Sequence, residues 1–225
     1  MNKVFIPYKN KHNGETCFIF GTGPSLIEFS SSKYADKVPS SVTMGANEII
    51  HYNINMDYYF IGDAGNTHKG FNSNPEAYIK YKPNIDKFFR SDKQVAKHIP
   101  QLPQDVQGVS YYKTSGWSFK HPLYKNLAHK FNKDITKEIL DCGSIILEAL
   151  QFALYCGFKS IYLVGCDCDY SKGTFNTSNH IDHSLKNFML SNWVKIKNFI
   201  DKEYPEVSII TINPVGMNLF GETKC

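Results

Sequence analysis

A glycine-rich turn near the start of the chain has the residue types of an anion-binding loop. Residues 21–26 read Gly-Thr-Gly-Pro-Ser-Leu and follow the short apolar run 16–20. Glycines let the backbone approach a ligand closely, and a helix that begins here presents free N–H groups and a partial positive charge. The pattern predicts a phosphate-binding loop that uses Gly21, Thr22, Gly23 and Ser25. The alternative is a tight turn that binds nothing, because two glycines alone are weak evidence.

Two common nucleotide-binding loops do not fit this turn. Leu26 stands where the dinucleotide-binding fingerprint has its third glycine. The turn also lacks the Lys-Ser/Thr pair of a P-loop. The sequence therefore disfavours both a NAD-dependent enzyme and a P-loop ATPase.

A second polar cluster lies in the later part of the chain. A strongly apolar run ends at Asp167, which begins the sequence Asp-Cys-Asp-Tyr. The polar loop that follows ends in Asn-His-Ile-Asp-His-Ser at 179–184, so that His180 and His183 are not core residues. A histidine there can take a proton near neutral pH, as a hydroxyl nucleophile requires. A general base is favoured, and the alternatives are a metal site that uses both histidines and a carboxylate, or an exposed helix-capping loop.

The elements that must position these residues alternate along the chain. Apolar runs predict strands at 16–20, 42–45, 57–62, 87–90, 160–165 and 207–212. Helical spacing predicts one helix over about 145–154, closed by Gly157, and another over about 184–202. Strands that alternate with helices predict an α/β, Rossmann-like fold with a mostly parallel sheet and helices on both faces.

The positions directly after the strands carry most of the polar candidates. They are residues 21–23, Asn47, Asp63 and Asp167, which are far apart in the sequence. Because parallel sheets bind ligands at the carboxyl ends of their strands, the fold would gather these positions at one edge. An asparagine there can contact a base, a ribose or a sugar. Alternatively, Asn47 caps the helix that begins with Glu48, and Asp63 stabilises a loop.

The length and composition fit a single domain over residues 1–225. Residues 66–132 are rich in Asn, Lys, Tyr and Pro, and we interpret them as an insertion or lid within that domain. The net charge is +4, and the lysines are scattered. This distribution predicts no nucleic-acid binding, and it is compatible with anionic small molecules or peripheral contact with an anionic membrane surface.

The cysteines and the apolar stretches indicate a compartment. The six cysteines do not have the spacing of a disulfide framework. The first residues lack the apolar core of a signal peptide, and no apolar stretch approaches the roughly 20 residues of a membrane span. We expect a cytoplasmic protein, at the inner face of the membrane if it contacts one. A homo-oligomer is compatible with the sequence.

Three motifs in order resemble those of bacterial sialyltransferases of glycosyltransferase family 42. The run 18–26 resembles their opening, the segments 143–144 and 157–167 are similar to their second conserved region, and 180–184 matches their histidine region. The wider DUF115 group has the same Gly-x-Gly-Pro-Ser-Leu opening, and it includes flagellin glycosylation factors and archaeal pterin pyrophosphokinases. The resemblance covers residues 11–63 and 142–213.

The resemblance implies an inverting transferase that moves a sialic acid or related nonulosonate from a CMP-sugar donor to a hydroxyl of a glycan or glycoconjugate acceptor. It implies no metal and no cofactor. His183 would be the general base, and Tyr170 would stabilise the departing phosphate. The residues assigned on this basis are His183, Asp167 and Tyr170 for catalysis, and Gly21, Thr22, Gly23, Ser25, Asn47, Asp63, Gly143, Ser144 and His180 for donor binding.

The chain departs from the family pattern at four of these positions. Thr22 and Asp63 stand where the sialyltransferases have asparagine, His180 replaces a tyrosine, and Tyr170 lies one residue late. Two alternatives therefore stay open. One is a pyrophosphokinase that uses ATP and Mg²⁺ held by Asp63, Asp167 and Asp169, and the other is a non-catalytic nucleotide-binding module of surface-polysaccharide assembly.

Overall fold

The protein is built on parallel strands, as a computed structural model shows. The structure describes residues 1–62, 82, 84–90, 107–115, 131–141, 143–169 and 184–223. The strands are β1 Thr16–Phe20, β2 Val42–Ala46, β3 Tyr58–Ile61, β4 Asp86–Arg90, β5 Val109–Tyr112, β6 Thr114–Ser115, β7 Ile139–Leu140, β8 Ser160–Val164, β9 Ser208–Ile212 and β10 Gly221–Thr223. The α-helices in this part of the chain are α1 Ile145–Cys156 and α2 Ser184–Glu203, and the 3-10 helices are Lys3–Tyr8, Pro24–Ser31, Ala35–Ser40 and Asn47–His51.

In the described part of the chain, eight strands form one sheet in the order β10-β9-β8-β1-β2-β3-β4-β5, and β6 pairs with β7 in a second, two-stranded sheet. All neighbouring strands are parallel. From β1 the chain moves towards β5, and from β8 it moves in the opposite direction towards β10. Parallel sheets bind ligands in a crevice at such a reversal, so we expect one at the carboxyl edge between β1 and β8. The predicted Rossmann-like, mostly parallel α/β fold is confirmed.

The two faces of the sheet are covered differently. On one face, strand residues such as Ile19 and Phe88 pack with Phe152 of α1 and Trp193 of α2. On the other face, the described cover comes from 3-10 helices, through side chains such as Leu26, Phe29 and Ile49. The segment 24–41 contains two prolines and many serines, which disfavour a regular α-helix. Within the described residues, α-helices cover one face and 3-10 helices cover the other, so helices lie on both faces, as the sequence predicted.

Helix α1 is almost entirely apolar and ends as the sequence predicts. Gly157 follows it in the left-handed region at φ 87°, and its N–H donates to the Leu154 carbonyl at 3.1 Å. A residue without a Cβ adopts this conformation at no steric cost, so Gly157 terminates the helix.

No helix in the described part of the chain is both long enough and apolar enough to cross a membrane.

The range 66–132, expected as an insertion or lid, contributes two strands to the main sheet. Its described parts include β4 and β5, which extend the sheet beyond β3. Phe88 and Phe89 of β4 are fully buried, one on each face. The rest of the range lies outside the described residues, apart from β6 and a few turn positions.

The first residues of the chain cross the face that α1 covers. Asn2 donates to the Lys113 carbonyl at 2.9 Å, beyond the end of β5, and Phe5 is fully buried. At the opposite, amino edge of the sheet, His12 hydrogen-bonds the Tyr58 hydroxyl at 2.7 Å and stacks on Phe158. This segment closes the core between α1 and the outer strands, which the sequence did not predict.

We expect Phe152→Ala to lower the free energy of unfolding by about 3–5 kcal/mol, because it removes a buried ring and leaves a cavity. The Phe152 ring is fully buried, and its centroid lies 5.1 Å from those of Tyr58 and Phe88. Urea unfolding would measure the change. Val194→Ala is the control, since Val194 is 42% exposed on α2 and should change stability by less than about 0.5 kcal/mol. Equal losses in the two variants would contradict this description of the core.

Candidate functional site

The turns after β1 and β8 are in direct backbone contact at the crevice. Phe20 pairs with Val164 at the ends of the two strands, and the Gly21 N–H donates to the Val164 carbonyl at 2.8 Å. A Cβ on Gly21 would lie 2.5 Å from the Gly165 carbonyl oxygen, and a Cβ on Gly165 would lie 2.7 Å from that of Gly21. Since real Cβ atoms do not approach this closely, only glycine fits at either position.

This packing gives the turn glycines a role that the sequence did not reveal. The Gly21 and Gly23 N–H groups donate to the carbonyls of Val164 and Gly165, at 2.8 and 2.7 Å. They are therefore already used within the protein. Thr22 lies between them and is half-buried, and within the described residues its N–H and hydroxyl make no hydrogen bond. Of the residues predicted in this turn, Thr22 is the one placed to donate to a ligand.

Asp167 connects the turns after β1, β8 and β9 through hydrogen bonds of its side chain. Its Oδ2 accepts the Ser25 N–H at 2.8 Å, and its Oδ1 accepts the Ser25 hydroxyl at 2.9 Å and the Val215 N–H at 2.8 Å. A Cβ on Gly23 would lie 2.4 Å from Oδ2, which explains the second glycine of the turn. The sequence predicted a catalytic Asp167 and a ligand-binding Ser25. Their contacts with each other make both positioning residues, and direct contact with a substrate stays a prediction.

The environment of Asp167 also changes its acidity. The residue is 2% exposed, and burial raises the pKa of its carboxyl above the ordinary value. The hydrogen bonds from Ser25 and Val215 act in the opposite direction, because they stabilise the ionised form. Burial is the larger effect, because water has little access to the Asp167 carboxyl, and the net change is a raised pKa.

The turn after β9 forms part of the same edge, and the sequence reasoning missed it. Besides its bond to Asp167, Val215 accepts the Cys168 N–H at 3.3 Å, and Gly216 packs against Asp169. Asn213, the residue directly after β9, adopts a left-handed φ of 47°. The sequence could have predicted this turn as part of the site. Asn213 comes after the predicted strand 207–212, just as Asn47 and Asp167 come after predicted strands.

Asn47 links the ends of β2 and β3. It adopts a left-handed φ of 48°, a conformation that asparagine tolerates better than most residues. Its side-chain Oδ1 accepts the Gly62 N–H at 3.0 Å, and its carbonyl accepts the Tyr59 hydroxyl at 2.6 Å. Asn47 is the first residue of the 3-10 helix Asn47–His51, with Ala46 at the cap position. Asn47 therefore lies at the predicted edge, and the alternative of a helix cap is wrong.

The start of α1 lies beside the turns after β1 and β3. The Ile146 side chain lies 3.3 Å from a Cβ built on Gly21, and that of Ile145 lies 3.2 Å from one on Gly62. Ser144 immediately precedes the helix, and its side chain makes no capping hydrogen bond. The helix start adds a partial positive charge to the edge that carries Thr22. Ser144 is thus placed where a ligand at this edge would meet it.

Four predicted site residues, Asp63, Tyr170, His180 and His183, lie outside the described residues. The helix that follows the last of them in the chain, α2, is described. Strands β8 and β9 are parallel neighbours joined through α2, so α2 begins at the carboxyl edge of the sheet. The first residue of α2, Ser184, directly follows His183 in the chain.

No group of three or more His, Cys, Asp or Glu side chains is placed to hold a metal ion in the described part of the chain. Of the carboxylates proposed for Mg²⁺, Asp167 already accepts three hydrogen bonds from protein groups. Three of the roughly four lone-pair sites of the carboxylate are thus used within the protein. Asp167 therefore fits the Mg²⁺-dependent alternative poorly.

No protein-family pattern and no curated protein matches this sequence. Several solved structures of a sialyltransferase, CstII, have a similar fold. CstII from Campylobacter jejuni with the substrate analogue cytidine-5'-monophosphate has a TM-score of 0.50 at 16% identity, over 94% of this chain and 86% of that chain. CST-II with a trisaccharide acceptor and CMP has a TM-score of 0.52 at 18% identity, over 93% of this chain and 86% of that chain. At this identity, the likeness shows a shared α/β fold.

We expect Asp167→Asn to lower the free energy of unfolding by about 1–3 kcal/mol at neutral pH, because the amide group would face at least one N–H donor in either orientation. Urea unfolding would measure the change. Asp36→Asn is the matched control, since Asp36 is exposed in the 3-10 helix Ala35–Ser40. If both variants were as stable as the original chain, the three hydrogen bonds of Asp167 would contribute nothing to stability.

Proposed function

We propose that the protein is an inverting glycosyltransferase that transfers a sialic acid or related nonulosonate from a CMP-sugar to a hydroxyl of a glycan or glycoconjugate. The observation that carries the proposal is the β1–β8 switch point of the sheet, where the half-buried hydroxyl residues Thr22 and Ser144 lie beside the start of α1. The shared fold with CstII, solved with CMP and with a trisaccharide acceptor, supports the same class of reaction.

The groups available at the crevice suit a single phosphate. The Thr22 N–H and hydroxyl and the Ser144 hydroxyl are neutral donors, and the start of α1 adds a partial positive charge. A CMP-sugar has one phosphate, and such donors can bind it without a metal ion. Asn47 would contact the cytidine part from the neighbouring strand end, where its backbone lies.

The chemistry would place a base and a charge stabiliser on opposite sides of the bond that breaks. His183 takes the proton of the acceptor hydroxyl, whose oxygen then attacks the anomeric carbon of the sugar. The bond from that carbon to the phosphate oxygen breaks, and CMP leaves with the electron pair. Tyr170 and the start of α1 stabilise the charge that develops on the phosphate. Attack from the face opposite CMP inverts the anomeric configuration.

We expect CMP to raise the melting temperature without Mg²⁺, and ATP to raise it less or not at all. CDP and UDP complete the series, each measured with and without Mg²⁺. Stabilisation by ATP only in the presence of Mg²⁺ would instead favour the pyrophosphokinase alternative.

Thr22→Val should weaken CMP binding by about tenfold, because it removes the hydroxyl and keeps the shape of the side chain. Isothermal titration would measure the affinity. Ser31→Ala is the control, since Ser31 is exposed at the end of the 3-10 helix that follows the turn. Unchanged affinity in Thr22→Val would remove that hydroxyl from the donor site.

His183→Ala should slow the release of CMP from CMP-sialic acid by about 10²–10⁴-fold and leave CMP affinity almost unchanged, as expected for the loss of a general base. Release of CMP can be followed with water as the acceptor, so the natural acceptor need not be known. His51→Ala, on the exposed end of the 3-10 helix Asn47–His51, is the control. Full activity in His183→Ala would eliminate the proposed base, and tight CMP binding without any turnover by the original chain would favour a non-catalytic module.

A further inference from the structure

A cluster of charged and polar side chains is buried next to the proposed donor site, and the proposed mechanism does not use it. Arg90 and Tyr112, the last residues of β4 and β5, are 9% and 1% exposed. Asp141 is 1% exposed, and Glu148 of α1 is completely buried. We call these four residues the Arg90 cluster.

The guanidinium of Arg90 joins three elements at once. Its Nη1 lies 2.9 Å from Asp141 Oδ2 and 3.1 Å from Glu148 Oε1, and its Nη2 donates to the Gly62 carbonyl at 3.3 Å. Tyr112 donates its hydroxyl hydrogen to the second carboxylate oxygen of Glu148. Contact with several acceptors in fixed directions is a property of the planar, forked guanidinium, and an ammonium group does not reproduce it.

The hydrogen bonds of the Arg90 cluster continue to the predicted donor-binding residues on both sides. On one side, Gly62 accepts from Arg90 through its carbonyl and donates its N–H to Asn47 Oδ1 at 3.0 Å. On the other side, Asp141 Oδ1 accepts the Gly143 N–H at 2.9 Å, next to Ser144. A continuous chain of hydrogen bonds therefore runs from Asn47, through Arg90, to the start of α1.

Stability alone is a poor explanation for such a cluster. Burying a guanidinium and two carboxylates carries a desolvation cost that their attraction barely offsets, and apolar side chains of similar volume would often stabilise the site equally well. The cluster does fix direction, because each hydrogen bond sets the orientation of one strand end or turn. Gly143, at φ 81°, is held in a conformation that few other residues adopt.

We propose that Arg90 is a positioning residue that holds the Asn47–Gly62 side and the Gly143–Ser144 side of the donor site at a fixed distance from each other. The link to donor binding rests on the proposed function. The claim about geometry does not, since it concerns the protein without ligand. Asp167 performs the corresponding task for the turns after β1, β8 and β9, so the two halves of the crevice can be tested separately.

The experiment compares Arg90→Lys with the original chain by hydrogen exchange without ligand, and by titration with CMP. Lysine keeps the positive charge but lacks the planar, forked arrangement of N–H donors that a guanidinium has. We expect the peptides that contain Gly62 and Gly143 to exchange about tenfold faster or more, while the peptide over 21–26 is unchanged. CMP affinity should fall by about tenfold, the size expected when buried hydrogen bonds are lost.

Two further variants serve as controls. Asp167→Asn should give the reverse pattern, with faster exchange at 21–26 and 213–216 and little change at Gly62 and Gly143. Phe158→Leu removes packing at the opposite edge of the sheet, where Phe158 stacks on His12. It should lower the melting temperature and leave both CMP affinity and exchange near the crevice unchanged.

Each outcome decides the proposal about Arg90. Exchange in Arg90→Lys that matches the original chain, or that rises equally in all peptides, overturns it. If Arg90→Lys does not fold, Tyr112→Phe replaces it, with an expected rise of about threefold at Gly143, and no rise there overturns the proposal. If the original chain does not bind CMP, the proposed function fails, and the exchange pattern alone decides whether Arg90 positions the crevice.

Discussion

The contact between the backbones of Gly21 and Gly165 is the constraint on which the rest of the site depends. Neither position accepts a Cβ, because each would meet the carbonyl oxygen of the other at 2.7 Å or less. The contact occurs where the direction of the chain through the sheet reverses, between β1 and β8. Any side chain at these positions would push the two turns apart and widen the crevice. Packing within the chain therefore requires these glycines, whether or not a ligand is bound.

Around this contact, the structure separates groups that hold the site from groups that can meet a ligand. Asp167 and Arg90 are buried, and their hydrogen bonds are directed to backbone and side-chain groups of the surrounding turns. Thr22 and Ser144 are half-buried hydroxyl residues at the same edge. Such a division is physically reasonable, because a donor group binds well only if its direction is already set by neighbours that do not move.

The sequence predicted the sheet well where strands are long and apolar, and poorly elsewhere. β1 and β8 were found because four of the five side chains in each are apolar, and β9 because it contains three isoleucines. β5 and β10 are short and contain polar residues or glycine. The edge of the site was predicted from the positions that follow each strand. The roles of Asp167 and Arg90 were not, because their partners lie far away in the sequence, such as Ser25 at a separation of 142 residues. The assignments of Asp63, Tyr170, His180 and His183 stay predictions.

The all-parallel strand order also has a consequence for how the molecule is made. No neighbouring pair in the main sheet, as described, is a hairpin, and β1 has β8 as one of its two partners. Long-range pairing of this kind is slow to form, since a large loop must close before any contact is gained. During synthesis on the ribosome, β1 must wait for more than half of the polypeptide before that neighbour exists. The crevice would therefore be among the last features to mature, and nascent chains would expose the apolar flank of β1 to chaperones until then.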